Sequence, residues 1–170
     1  VCVDCDKNTL NIDLNKIEDA INSKTRAIFV VHIYGNPCDM NGIISICKKY
    51  NLILIEDSCE SMGAKYNNTP VGNFGLMSSF SFYFSHHITC IEGGITISKD
   101  KDIYESMKII RSHGWIRNIK NKNKWKKMSP GIDPKFLFVN EGYNLRLTEP
   151  QAVMASIQLK KLDMFVEKRR

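Results

Sequence analysis

Two uninterrupted apolar stretches, Ala27-Ile28-Phe29-Val30-Val31 and Leu52-Ile53-Leu54-Ile55, alternate along the chain with stretches of helical period. Continuous apolar runs this short read as strands buried on both faces. The pattern predicts strands over 26–32 and 51–56. Between them Asp39 opens a helix over 40–50 with Ile43, Ile44 and Cys47 inward. Ahead of them, 1–5 alternates apolar and polar and predicts a short strand. Asp13 opens a helix to about Ile21 with Leu14, Ile17 and Ile21 on one face. Aromatic and β-branched residues predict strands over 78–84 and 94–98. Asp100 opens a helix running to about His113, and the following basic stretch to Pro134 has no period and reads as irregular. Thr148 caps a last helix, with Pro150 in its first turn and Gln151 three after the cap. This helix runs to the end of the sequence with Ala152, Ala155, Leu159 and Leu162 on one face.

Strand, helix, buried strand, helix, buried strand predicts an α/β fold with a mostly parallel sheet flanked by helices. Ligands of such sheets sit beyond the carboxyl ends of the strands, here His32 to Gly35 and Glu56 to Ser58. The sequence begins inside a predicted strand and stops at Lys168-Arg169-Arg170 inside a predicted helix. It therefore reads as one domain, 1–170, cut from a longer protein. No repeat, linker or low-complexity segment interrupts it.

Composition narrows the class. Of 170 residues, 43% are hydrophobic and 25% charged, the balance of a globular chain rather than a disordered one. The longest aliphatic run, four residues, is far short of the ~20 a membrane span needs, and no secretory leader is visible. These features predict a cytoplasmic protein with no membrane partner. Net charge is +6, from 24 Lys and Arg against 18 Asp and Glu. The excess concentrates between Ser106 and Ile132, which hold eight basic residues and no acid. A nucleic-acid patch, a loop beside a phosphate-bearing small molecule, and a solvated face all fit such a run. Only Trp115 and Trp125 supply aromatics there, so base stacking is poorly served and no nucleic-acid partner is expected. Six cysteines include Cys2-Val3-Asp4-Cys5, but no second pair follows at zinc-site spacing. Free thiols and no metal are expected.

Two places carry candidate chemistry. Asp57 follows the second apolar run, where a carboxylate must be solvated, paired or aimed at a cation such as a protonated pyridine nitrogen. The pair His86-His87 follows the aromatic stretch Ser81 to Phe84, with Gly93 and Gly94 shortly after. Imidazole suits proton transfer near neutral pH; polar filler and half a metal site are its other readings. Neither a P-loop nor a dinucleotide fingerprint occurs.

Four stretches in order then combine: Val31 to Met40 (VHIYGNPCDM), Ile55-Glu56-Asp57-Ser58, Ser79 to His87 (SFSFYFSHH) with Glu92-Gly93-Gly94, and Gly142-Tyr143-Asn144-Leu145-Arg146. Together they resemble the DegT/StrS family of vitamin B6-dependent nucleotide-sugar aminotransferases and dehydratases, over essentially the whole chain. The resemblance implies the large-domain core of the aspartate-aminotransferase-like (type I PLP) fold, truncated at both ends. The family's N-terminal segment and C-terminal small domain would be absent, leaving apolar surface exposed.

Most members carry a lysine five residues after the position of Ser81, where it binds pyridoxal 5'-phosphate covalently. This sequence has His86 there. The departure resembles the family's 3-dehydratases of 4-keto-6-deoxy sugars, and Arg111 to Asn118 (RSHGWIRN) strengthens that likeness. An imidazole cannot form a stable imine, so the cofactor would be held non-covalently as pyridoxamine 5'-phosphate with His86 as the base. The resemblance further implies Asp57 at the pyridine nitrogen, Ser81 at the cofactor phosphate, Glu60 near the ring hydroxyl, and Asn144 reaching the phosphate in the neighbouring subunit of a homodimer with shared active sites. It places His113 and Arg117 beside a nucleotide-diphosphate sugar, for which an arginine fork is well suited. Glutamate, or a reductase, would restore the amine form. The implied role is deoxysugar synthesis for surface glycans. An aminotransferase variant and a catalytically inactive binding paralogue stand as alternatives.

Overall fold

The computed structural model describes residues 1–120 and 122–169; Arg170, at the end of the predicted last helix, lies outside them. The chain forms two compact units. The first takes in residues 1–97 and those from Glu149 onward; the second is Ser98–Thr148.

The first unit is built on β1 (Ala27–Val31), β2 (Ile53–Asp57), the two-residue strands β3 (Lys65–Tyr66) and β4 (Thr69–Pro70), then β5 (Met77–Ser81) and β6 (Gly94–Ser98). The main sheet has the order β1-β2-β5-β6, while β3 and β4 pair separately and antiparallel. β1 with β2 and β2 with β5 are parallel, which sets Val31, Asp57 and Ser79 side by side at their carboxyl ends. Ile28, Val30 and Leu54 point to one face and join the core with Ile17, Met40, Ile43, Ile46 and Cys47. The other face carries Phe29 and Ile53, 56% and 44% exposed. A parallel sheet normally covers both faces, whereas these two residues stay open.

Helix α1 (Leu14–Ile17) is capped by Asp13, which accepts from the Asn15 N–H. It then tightens into a 3-10 turn at Glu18–Ala20 instead of continuing to Ile21. Helix α2 (Met40–Tyr50) has the predicted bounds. Asp39 accepts from the Gly42 N–H, and Asn51 in the left-handed region (φ 52) closes the other end. Ile46 takes an inward place beside Ile43 and Cys47, with Ile44 only partly buried.

Other elements depart from expectation for local reasons. Residues 1–5 form only an isolated bridge, Cys5 to Ile12. The strand predicted to reach Phe84 stops at Ser81, because the Phe82 N–H turns to Gly93 O and the Tyr83 N–H to Ser81 Oγ. The last helix breaks into α5 (Glu149–Leu159) and α6 (Leu162–Arg169). Ala155 and Leu162 rest on Phe82, Ile88 and Cys90, so these helices support the loop that carries the paired histidines.

In the second unit α3 (Lys101–Ile110) is capped by Asp100 and ends before the left-handed His113 (φ 62) and Gly114 (φ 79). The stretch expected to be irregular contains α4 (Asn123–Met128) and a 3-10 turn at Pro134–Phe136. Ile109, Ile116, Ile119 and Leu137 form this unit's core. Gly114 and Gly142 touch so closely that a Cβ on Gly114 would run into Asn140 O, and one on Gly142 into Gly114 N.

The first unit also buries a hydrogen-bond network around a carboxylate. Glu56 and His32 are both 0% exposed, with His32 Nε2 3.3 Å from Glu56 Oε2. The Cys38 N–H donates to His32 Nδ1 at 3.1 Å, which leaves the proton on Nε2 facing the carboxylate. Glu56 also accepts N–H bonds from Gly72, Phe74 and Gly75 at 2.7, 2.8 and 2.6 Å. Burial pushes the Glu56 carboxyl upward, but His32 and the three amides outweigh it and hold the group below its ordinary 4.5.

Glu56→Ala strands these donors in the core, so denaturant unfolding of the full-length protein should show a loss of about 3 kcal/mol or more. A depressed carboxyl contributes stability that is complete above its unfolded-state pKa and is lost as pH falls through the lower folded-state value. Unfolding free energy plotted against pH should therefore fall less steeply on the acid side in Glu56→Gln than in the parent. Gly114→Ala is strained both by its positive φ and by the clash; hydrogen exchange should quicken through 109–119 while α2 keeps its protection.

Candidate active site

The alternation of a strand sends neighbouring acids of β2 to opposite faces. Glu56 turns into the core, and Asp57 turns to the other face beside Val31 and Ser79. The Asp57 carbonyl accepts from the His32 N–H at 3.1 Å, and its carboxylate accepts from the Cys59 N–H at 3.0 Å. Burial, together with Asp57, pushes the Cys59 thiol up to about 11, so it remains protonated beside the acid. Ser81 closes β5, its Oγ accepting from the Tyr83 N–H at 3.1 Å.

His86 sits on the irregular loop after β5, its N–H bonded to Tyr83 O and its ring edge-on to Tyr83 at 6.1 Å. It lines a cleft of about 440 Å³ with Tyr34, Glu60, Ser85, His87 and Arg169. The sequence-predicted pair His86 and Glu60 thus share one cavity; Asp57 and Ser81 stand at neighbouring strand ends outside its lining. Glu60 Oε2 accepts the Tyr34 N–H at 2.9 Å. Tyr34 is left-handed (φ 51, ψ 28), an unusual backbone for a bulky residue. Its side chain is 80% exposed at the cleft rim. Two buried polar atoms have no hydrogen-bond partner among the described residues, Ser61 Oγ and His87 Nδ1.

Asn144, His113 and Arg117 lie in the second unit. There Arg146, unassigned from the sequence, draws two of them together. Its guanidinium donates to Asn144 Oδ1 at 3.2 and 3.3 Å and stands 3.5 Å from His113 Nε2. The bridge pairing Ser112 with Asn144 and the bond from the His113 N–H to Tyr143 O hold these segments side by side. Arg117 stacks 5.0 Å over the Trp115 ring, which itself stacks on Phe138 at 5.6 Å. Among the described residues, no group of three or more His, Cys, Asp or Glu could hold a metal, and no helix is long and apolar enough to cross a membrane.

These groups fit a pyridoxamine-type cofactor. An acid stands at a strand end for a pyridinium, hydroxyls stand nearby for a phosphate, and a cleft holds an imidazole, with no lysine among its lining residues. Comparison with known proteins agrees. The chain is 45% identical over 171 residues to GDP-4-keto-6-deoxy-D-mannose 3-dehydratase of Yersinia pseudotuberculosis, covering 99% of this chain and 43% of that one. It is 44% identical over 170 residues to the enzyme of that name from Escherichia coli O55:H7, covering 99% and 44%. It therefore spans less than half the length of these relatives. A crystal structure of a GDP-4-keto-6-deoxymannose-3-dehydratase mutant with bound GDP-perosamine superposes with a TM-score of 0.89 at 43% identity, over 97% of this chain and 43% of that one. An aminotransferase of pseudoaminic acid biosynthesis from Helicobacter pylori superposes with a TM-score of 0.81 at 33% identity, over 95% and 40%. The expected aspartate-aminotransferase-like fold is thus the one present. The description DegT/DnrJ/EryC1/StrS aminotransferase family matches residues 1–170, and the chain belongs to that family.

Proposed function

We propose that the protein to which this chain belongs is a cytoplasmic, B6-dependent 3-dehydratase of a GDP-linked 4-keto-6-deoxyhexose in deoxysugar synthesis for surface glycans. The observation that carries this reading is an imidazole, His86, where the family keeps its lysine, in a cleft that no lysine lines. Its likeness to two 3-dehydratases at 45% and 44% identity supports it over the aminotransferase reading, since a perosamine synthase from Escherichia coli O157:H7 is 35% identical.

Bound pyridoxamine 5'-phosphate supplies the amine that engages the sugar ketone and a ring that accepts electrons while the hydroxyl at sugar carbon 3 departs. The chain's residues do the rest. Asp57 keeps the pyridine nitrogen protonated. Ser81, whose oxygen already accepts from Tyr83, has its O–H left to donate to the phosphate. His86 takes the proton from the carbon bearing the cofactor's amine. Glu60 acts near the ring hydroxyl while holding the Tyr34 turn. Asn144, its Oδ1 occupied by Arg146, offers Nδ2 as donor to the phosphate in the partner subunit of a homodimer. His113 and Arg117 receive the nucleotide diphosphate, and glutamate restores the amine form.

The test incubates full-length protein with pyridoxamine 5'-phosphate, glutamate and GDP-4-keto-6-deoxymannose, then weighs the products. A 3-deoxy sugar is expected; a 4-amino sugar would establish transamination instead, and no conversion of any 4-keto-6-deoxy sugar nucleotide would favour a binding role. His86→Lys should cut dehydration about a hundredfold or more and make pyridoxal phosphate trappable by borohydride on the protein. Asp57→Asn should slow turnover and weaken cofactor retention, read by gel-filtration recovery of the bound cofactor's absorbance.

A further inference from the structure

The His86 cleft contains a cation that no step above uses. Arg169, at the end of α6, lines the cleft together with Ser85, His86 and His87. Among the described residues no carboxylate lies within 4 Å of its guanidinium. Beside it His87 Nδ1 is buried without a hydrogen-bond partner among the described residues. The single acid lining the cleft, Glu60, is occupied on Oε2 by the Tyr34 N–H.

We propose that Arg169 and His87 form the anchor for the α-carboxylate of an amino-acid donor, whose ammonium group is received by Glu60. This rests on the reading that an amino donor restores the amine cofactor in this cleft. Each part answers to an observation. A carboxylate between Arg169 and His87 gives the guanidinium a counter-charge and gives the orphaned imidazole nitrogen an acceptor for its N–H. The lining carries one cation and one carboxylate, so the α-carboxylate and the α-ammonium of a donor each meet an opposite charge there. A diphosphate would bring two or more negative charges to a cleft with one arginine, and its natural partners are the basic residues of the second unit. Burial, then Arg169 and His86, hold the His87 pKa below its ordinary 6.5 and so favour the neutral ring. The titratable and charged groups around it are Arg169 of α6 and His86 of its own loop, with Glu60 and Tyr34 also lining the cleft. An arriving carboxylate offsets Arg169 and favours the imidazolium, so the His87 pKa rises on binding.

The experiment uses full-length, cofactor-free protein with isotope-labelled histidine, titrated in separate arms with L-glutamate, glutarate and inorganic phosphate while the ring signals of His87 are followed by NMR. Saturable binding of glutamate with a rise in the His87 pKa is expected. Glutarate, lacking the ammonium, should bind more weakly than glutamate. Arg169→Met should weaken glutamate binding about tenfold or more, with partial rescue by Arg169→Lys. Arg169 is exposed, so both variants should keep the parent unfolding curve. An unchanged glutamate affinity in Arg169→Met, or a His87 signal that responds to phosphate and not to glutamate, overturns the proposal. Single-turnover dehydration by the parent protein preloaded with pyridoxamine phosphate needs no donor. Its failure would sink the dehydratase reading while the His87 titration still decides the role of Arg169.

Discussion

The carboxylate of Glu56, sealed in the core and answered by an imidazole and three backbone amides, is the constraint on which the first unit turns. A lone ion in that position would cost several kcal/mol. With its partners in place it fastens three otherwise separate pieces. His32 directly follows β1, Cys38 leads into the cap of α2, and the turn 72–75 leads into β5. The same network fixes the heights of the strand ends relative to one another. Asp57, one residue on, inherits a defined position because the strand's pleat sends it to the opposite face. The acid proposed to meet the cofactor nitrogen is thus held by a neighbour that faces the other way.

Much of this scaffold was legible in the sequence, for identifiable reasons. Asp39, the apolar period behind it and Asn51 mark both ends of α2 with local signals alone. β6 likewise begins at Gly94, where the expected strand starts. Elements went astray where a distant or irregular bond decides the outcome. β5 stops at Ser81 because Phe82 turns to Gly93 and Tyr83 to a side chain, which no propensity encodes. The strand expected over 1–5 finds a single bridging partner. The buried role of Glu56 was also hidden. Its nearest side-chain partner lies 24 residues earlier, and from the sequence it looked like a second acid at a strand mouth.

The site divides in the same way. His86 stood out because a histidine occupies the place where most family members keep a lysine, while its shared cleft with Glu60 appears only in three dimensions. Arg146 was part of a recognised motif, yet its tie to His113 spans 33 residues and appears only in three dimensions. Arg169 carried no signal at all, since a basic residue late in a helix ordinarily serves the helix dipole or solvent. His87 looked like a companion to His86 until its buried, unanswered nitrogen set it apart.

The histidine pair rides on a loop that leaves the ladder at Ser81, whereas Asp57 stands in a strand with neighbours on both sides. A side chain on such a loop can be exchanged without shifting any strand register or repacking the core beneath. On the proposed reading, the scaffold holds an exchangeable side chain on a loop beside an acid fixed in a strand, so one substitution on the loop would alter the chemistry while the strand ends stay in place.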